Sequence, residues 1–371
     1  MQSTAKSSPG SVDKNSIDGM QLITSILLLA ATLFVFWWGF LFLRDTTGVP
    51  PLALAVIAIV WGVGGVAMLF ISVNRLIESF GDSVRSVVQP FAFVGPAIAL
   101  LFWFMFVPVL RTGYLSFFDN DSTNFVRLDN YAAVFTDRQM KAAFGNNILW
   151  MVIGTSFSVG LGLLIAAFAD RSKFERLAKS IIFMPMAISF VGASLIWKFV
   201  YYYQPAGQPQ NGLLNAIVTG LGFQPQAWVS DFQPFNNLFL IAILIWMQTG
   251  YAMVIFSAAL KGVPEDLLEA GRIDGASEPH IFFKIIIPYI QGTIVTVATT
   301  ILIFTLKIFD VVITMTGGQY NTEVIAIQFY RQFFQYRNFG YGSAIAIVLL
   351  LAVIPVMVYN LRQLAKQEGF K

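Results

Sequence analysis

Cysteine is absent from this 371-residue chain, histidine occurs once, and charged residues make up only 12% of it. Each shortage excludes a class of function. Without cysteine there is no disulfide framework, thiol nucleophile or iron–sulfur cluster. One histidine rules out a histidine-rich metal site, and neither paired mid-membrane acids nor a histidine cluster offers catalysis. The excess of 23 basic over 20 acidic residues leaves a net charge of +3, too weak a field to gather phosphates, so nucleic acid is not an expected partner. No Gly-x-x-x-x-Gly-Lys-Ser/Thr loop is present, so ATP is not held here by the usual phosphate cradle. What fills the chain is apolar: 57% hydrophobic residues and a mean hydropathy of +0.70. Soluble proteins carry roughly 25% charged residues, so this composition describes an all-α integral membrane protein.

Eight apolar runs are long enough to cross a bilayer, at 21–43, 52–73, 89–110, 142–169, 181–200, 236–260, 285–309 and 342–361, each near the roughly 20 residues required. Residues 1–20 are rich in Ser, Lys, Pro, Gly and Asp and are expected to form a disordered tail. The segments 1–20, 74–88, 170–180, 261–284 and 362–371 hold 14 Lys and Arg in 80 positions, against 7 in 106 for the opposite set. The positive-inside tendency therefore places both termini in the cytoplasm. In loop 74–88, Leu76, Phe80, Val84 and Val87 share one helical face opposite Arg75, Glu78, Asp82 and Arg85, the pattern of a short helix in the headgroup layer.

The stretch 261–288, KGVPEDLLEAGRIDGASEPHIFFKIIIP, has the grammar of a folded element between two spans. Pro264 suits a first helical turn, and Glu265, Asp266 and Glu269 complement the helix N-terminal dipole. Gly275 permits a turn that a Cβ would obstruct. Ile281, Phe282, Ile285 and Ile286 then begin the next helix, with Pro288 near its start. A cytoplasmic helix–turn–helix, polar outside and apolar beneath, is a docking surface for a partner; exposed His280 is expected to be solvated.

Glu269-Ala270-Gly271, Asp274-Gly275-Ala276 and Ile285-Ile286-Ile287-Pro288 stand at fixed offsets. In this spacing the chain resembles the membrane permease subunits of binding-protein-dependent ABC importers, whose signature has Ala at the place of Gly271 and Leu at that of Ile287. The resemblance extends over most of 90–371 and is nearest the maltose-type carbohydrate branch. There, residues 183–199 and 205–216 look like α-glucoside and glucosylglycerol permeases. It implies a type I importer permease core of six helices at 89–371 with docking loop 261–288, preceded by two additional helices and the interfacial helix at 21–88. It implies a docking surface of Glu269, Ala270, Asp274, Gly275, Ala276 and Pro288, with Glu269 as anchor and Asp274 as brace. It further implies a second, different permease subunit, two ATPase subunits that hold ATP and magnesium, an extracytoplasmic solute-binding protein, and a bacterial cytoplasmic membrane. The cargo would be a sugar or glycoside. An ion-coupled secondary sugar transporter is the alternative; such folds often show inverted repeats and mid-membrane charges, and neither is evident.

Polar groups inside a span are costly and are candidates for function. Sugars are held by hydrogen bonds to hydroxyls and by stacking on aromatic rings. Gln248 and Tyr251 offer the first, and Phe190, Tyr251 and Phe304 the second. Counting from the docking motif, as the resemblance implies, makes Met247, Gln248, Tyr251, Phe304 and Thr305 the best-placed positions on the substrate path. Lys307 and Asp310 are three residues apart, as an intrahelical pair would be. Lys198 with Tyr201, Tyr202 and Tyr203 resembles an interfacial belt. Ser158 and Gly162, four apart, suit close helix packing.

Overall fold

The computed structural model describes residues 19–80, 82–170 and 172–368, and these are helical apart from connecting loops and one antiparallel bridge between Phe118 and Phe125. Most of the expected tail lies outside the described residues, while Gly19 and Met20 already belong to the first helix. Among the described residues, six helices are long and apolar enough to cross a membrane: α1 (Gly19–Asp45), α2 (Pro51–Glu78), α3 (Val84–Leu115), α5 (Arg138–Ala169), α9 (Asn236–Lys261) and α15, whose spanning part is Phe339–Gln363. A short α4 (Asp129–Thr136) precedes α5. Two further stretches pass the same test only as bent pairs, α6 (Glu175–Ala187) with α7 (Phe190–Val200) and α11 (Glu278–Tyr289) with α12 (Gln291–Leu306). The remaining elements are α8 (Leu213–Gly220), α10 (Glu265–Ile273), α13 (Asp310–Met315) and α14 (Ile325–Tyr330).

The chain divides into two compact units, Met1–Val109 and Leu110–Lys371. In the first, α1 and α2 pair through small and hydroxyl side chains. Thr32 Oγ1 lies 2.9 Å from Ser72 Oγ, both buried, and Gly65 leaves room for the Phe36 ring. Such contacts suit helices in lipid, where apolar burial gives no advantage over the acyl chains. Segment 74–88 does not form a separate short helix. Its first half completes α2, where Ser79 Oγ donates to Leu76 O at 2.6 Å, and the chain is helical again from Asp82. Asn74 and Gln89 join the two helices at 3.0 Å. The amphipathic pattern thus reflects two helix ends meeting.

In the second unit α5 packs along α9. A Cβ at Gly162 would come within 3.0 Å of the Met253 backbone nitrogen, so only glycine allows this approach. Ser158 is fully buried on the same face. Ala166, Ala252, Met253 and Phe256 then meet Val297 and Ile301 of α12 in one apolar cluster. A second cluster gathers Trp150, Leu240, Ile241 and Leu244 with Val311, Val312 and Ile327. Tyr201 belongs to this cluster instead of to an interfacial belt: it is 6% exposed and donates to Phe239 O at 2.9 Å. Tyr202 and Tyr203 remain exposed.

Four buried asparagines pin the loop before α14. Asn146 Nδ2 donates to Asn321 O at 2.9 Å and Glu323 O at 2.7 Å, and Asn237 Nδ2 donates to Asn146 Oδ1 at 3.1 Å. Asn147 donates to Leu306 O and accepts from Ile325 N, each at 2.8 Å. Asn236 Nδ2 reaches Tyr320 O at 2.7 Å. These amides satisfy backbone groups that no helix ladder serves, which matters where water is scarce. Asn147→Ala should orphan Leu306 O and Ile325 N at about 1–3 kcal/mol for each buried group. Thermal unfolding of the purified chain in detergent should show a clear drop in midpoint; an unchanged midpoint would mean the loop is held by other contacts.

Candidate functional site

The bend between α6 and α7 is 105°. Pro185 lies in a 3₁₀ turn over Met184–Ala187, Ile188 is extended, and Ser189 Oγ caps α7 by accepting from Gly192 N at 3.1 Å. The break therefore carries its own cap. Gly250 on α9 faces it: a Cβ there would lie 2.8 Å from Phe183 Cα, so the glycine lets the end of α6 settle directly on α9.

Beside this crossing lies a cavity of about 310 Å³ lined by Met186, Ile188, Ser189 and Phe190 from the bend, Met247, Gln248 and Tyr251 from α9, and Thr300 and Phe304 from α12. Five of the six residues expected on the substrate path, Phe190, Met247, Gln248, Tyr251 and Phe304, thus share one wall system. Thr305 is absent from the lining; it is fully buried and donates to its own helix at Leu302 O, 2.8 Å away. Four lining residues, Met186, Ile188, Ser189 and Thr300, are not among those expected on the path. Thr300 stands one helical turn before Phe304, and that phase is the signal that would have found it.

No charged side chain lines the cavity. The walls are mostly apolar, with a carboxamide, a phenol and two hydroxyls among them. Ser189 serves as a helix cap and Thr300 donates to Thr296 O at 2.8 Å. Among the described residues, the Gln248 carboxamide and the Tyr251 hydroxyl have no protein partner, although Gln248 is only 6% exposed. Such an arrangement suits a neutral ligand with an apolar face and several hydroxyls.

Lys307 and Asp310 do not form the pair that their spacing suggests. Helix α12 ends at Leu306 and α13 begins at Asp310, so they do not share a helical face. Lys307 instead stands over the Phe304 ring, 5.7 Å from its centroid.

The docking motif folds as a tight hairpin. Helix α10 starts after Pro264 with Glu265 and Asp266 in its first turn. At its end Gly275 adopts φ +80°, Gly275 N donates to Arg272 O and Ala276 N to Gly271 O, both at 3.0 Å. This pair of bonds is the Schellman closure, which requires a left-handed residue at that place. Gly271 is buried: a Cβ there would meet Ile285 Cδ1 at 2.8 Å and Ile281 Cγ1 at 3.4 Å, so the glycine in place of alanine matches a close seat on α11. Arg272 Nε donates to Glu278 Oε1 at 2.9 Å, and that bond holds the guanidinium above its usual range. The carboxylate of Asp274 is exposed and has no partner among the described residues; the backbone bonds and Arg272 brace the turn instead. Glu269, Ala270 and Pro288 are exposed, Ala276 is half-buried, and Ile273 presents an apolar side chain at 85% exposure. His280 is exposed. Pro288 follows a widened helical turn over Phe282–Ile286 and precedes the 70° bend into α12, where a missing N–H is least disruptive.

Comparison with known proteins finds matches to both the sequence and the fold. Residues 158–366 match the family of binding-protein-dependent transport system inner membrane components. The osmoprotective compounds uptake permease protein GgtC of Synechocystis is 55% identical over 279 residues, covering 75% of this chain and 100% of that one. The alpha-glucoside transport system permease protein AglF of Rhizobium meliloti is 47% identical over 288 residues, covering 77% and 85%. A chain of a bacterial alginate ABC transporter, solved with an alginate pentasaccharide-bound periplasmic protein, shares the fold with TM-score 0.65 at 19% identity, over 75% of this chain and 94% of that one. On the family match and these identities, the chain belongs to the inner-membrane permease components of binding-protein-dependent transport systems.

Proposed function

We propose that this chain is one permease half of an ATP-driven importer that carries a neutral sugar or glycoside through the cavity beside Gln248 and Tyr251. The observation that carries the reading is the hairpin Glu265–Tyr289, whose turn, buried Gly271 and exposed Glu269 supply a rigid element for a cytoplasmic ATPase. Names of relatives support the cargo class, since one takes up α-glucosides and another osmoprotective compounds. A neutral lining supports it further. Membership of the family argues against ion-coupled secondary transport.

In this reading each bent pair counts as one span, giving eight, with 89–371 as the six-helix core and 21–88 as its extension. Both termini lie in the cytoplasm. Two separate ATPase subunits hold ATP and magnesium, a different permease subunit completes the pathway, and an extracytoplasmic binding protein delivers the cargo. Glu269 anchors the hairpin in the ATPase, while Ala270, Asp274, Gly275, Ala276 and Pro288 shape or border the docking surface. Motion of the ATPases then shifts the permease halves between inward- and outward-open populations.

Orientation is tested by cysteines placed in the naturally cysteine-free chain. Labels at Ser8 and Glu368 should react only from the cytoplasm and one at Gln210 only from outside; labelling of position 210 from within overturns the arrangement. For the cavity, Gln248→Ala and Tyr251→Ala should each weaken apparent affinity roughly tenfold, in line with about 1–3 kcal/mol for a lost hydrogen bond to a desolvated partner. Assembly should survive, and failure of assembly with unchanged affinity would make both residues packing elements. For the hairpin, Glu269→Ala should loosen ATPase attachment roughly tenfold or more through loss of a desolvated charge partner, and Gly275→Val should strain a left-handed turn. ATP hydrolysis by the reconstituted complex, with and without loaded binding protein, is the assay. Full stimulated hydrolysis and transport in both variants would remove the hairpin from the coupling path.

A further inference from the structure

Where α5, α6 and α9 reach the docking side, four charges and a hydroxyl form a cluster outside both the cavity and the hairpin. Lys179 of α6 is paired with Asp170, with Glu175 at 2.6 Å and with Ser257 of α9. An ammonium has three N–H donors, so all three are used. Ser257 Oγ donates to Asp170 Oδ1 at 2.7 Å, and Glu175 also receives Lys261, the last residue of α9. The Lys179 and Asp170 side chains are only 18% and 14% exposed. Two positive and two negative groups balance. Truncating Lys179 would leave a half-buried carboxylate without its cation.

The placement of this cluster gives it a direction. Lys261 is followed by only three residues, Gly262 to Pro264, before docking helix α10 begins at Glu265. A cleft of about 210 Å³ lined by Ala167, Asp170, Leu260, Lys261, Phe282 and Ile286 brings the returning limb of the hairpin to the same place. At the other end of α6 stand Met186, Ile188, Ser189 and Phe190, which wall the cavity. Helix α6 is therefore held by its charged end to the docking end of α9, while its far end leads into the cavity wall. We propose that Lys179 is a positioning residue of the transport cycle: it locks α6 to the docking end of α9, so that displacement of the hairpin moves the cavity wall at Met186–Phe190. This rests on the permease reading above, since it supposes that the hairpin is what the ATPase moves.

The test uses the complete complex in vesicles, with its second permease, ATPase subunits and binding protein, and a radiolabelled α-glucoside as probe. Lys179→Met keeps much of the side-chain length and removes the charge. ATPase subunits should stay attached and hydrolysis should continue, while sugar imported per ATP falls roughly tenfold or more, within the usual range of coupling free energies. Lys179→Arg should restore most of that ratio. Import and hydrolysis falling together would mark a merely structural cluster and overturn the proposal, as would a parental ratio in Lys179→Met. A second measurement does not depend on that variant or on the sugar. Spin labels at Leu177→Cys on α6 and Asp266→Cys on α10 should keep their separation to within about 2 Å, the scale of ordinary helix shifts, between nucleotide-free and ATP-trapped complexes. A larger change means that α6 and the hairpin move independently and defeats the proposal. Should the parent complex import no sugar yet hold this separation, the cargo assignment fails while the lock stands.

Discussion

A break in a helix that crosses lipid exposes backbone groups that only the protein itself can satisfy. Much of this architecture follows from where such breaks are tolerated. At the first, Pro185 opens a 3₁₀ turn that ends at Ala187, Ile188 runs extended, and Ser189 caps the helix that follows. At the second, a widened turn at Phe282–Ile286 precedes Pro288 and the chain turns by 70°. Both breaks coincide with function in the proposed scheme. One forms a wall of the cavity and the other joins the docking hairpin to α12. Regular helix cannot present Met186, Ile188, Ser189 and Phe190 together to one space; a capped break can.

The cavity is open to ligand chemistry because its neighbours use up their own polar groups. Thr249 donates to Ile245 O at 2.6 Å and Thr305 to Leu302 O at 2.8 Å, so both hydroxyls are committed to their own helices. The Gln248 carboxamide and the Tyr251 hydroxyl have no such commitment among the described residues. Gly250 between them lets the end of α6 lie against α9, which sets Phe190 opposite. A single small residue thus brings an aromatic wall and two free polar groups to the same volume. Neutral walls would also spare a site that holds water and the proposed sugar in turn the desolvation that a charged group imposes.

Legibility from sequence varied with the range of the interaction. Straight spans such as α1, α2 and α9 follow from local apolarity alone, and the motif Glu269 to Pro288 announces its hairpin because each position acts within a few residues. The bends are hidden inside the runs 181–200 and 285–309, since hydropathy does not register direction and only Pro185 and Pro288 mark the spots. Thr305 lies off the cavity wall because one residue along a helix turns the side chain by about 100°, from the cavity at Phe304 to the packed interior. The amphipathic pattern in 74–88 misled for a similar reason, as two helix ends produce the same periodicity as one short helix. Least legible is the asparagine network, where Asn147 meets Leu306 and Ile325 across 159 and 178 residues. No local pattern encodes such a pairing.

Coupling in this chain depends on stiffness at short range. The Schellman closure fixes α10 to its turn, and the Gly271 seat against Ile281 and Ile285 fixes α10 to α11. Three residues join the hairpin to α9, too few to act as a flexible tether. Push on Glu269 or Ile273 is therefore delivered to α9 and α11 with little loss to local bending. The packed faces of α5, α9 and α12, built on Gly162, Ala252, Val297 and Ile301, resist gradual deformation because close-packed interiors shift between discrete arrangements and do not stretch. In the proposed scheme the compliant points are the two breaks, at Pro185–Ser189 and after Pro288. In that scheme, a stiff docking element, a stiff helix bundle and two hinges at the cavity wall and the α11–α12 junction are the mechanical minimum for turning a cytoplasmic displacement into a change of shape around the cavity.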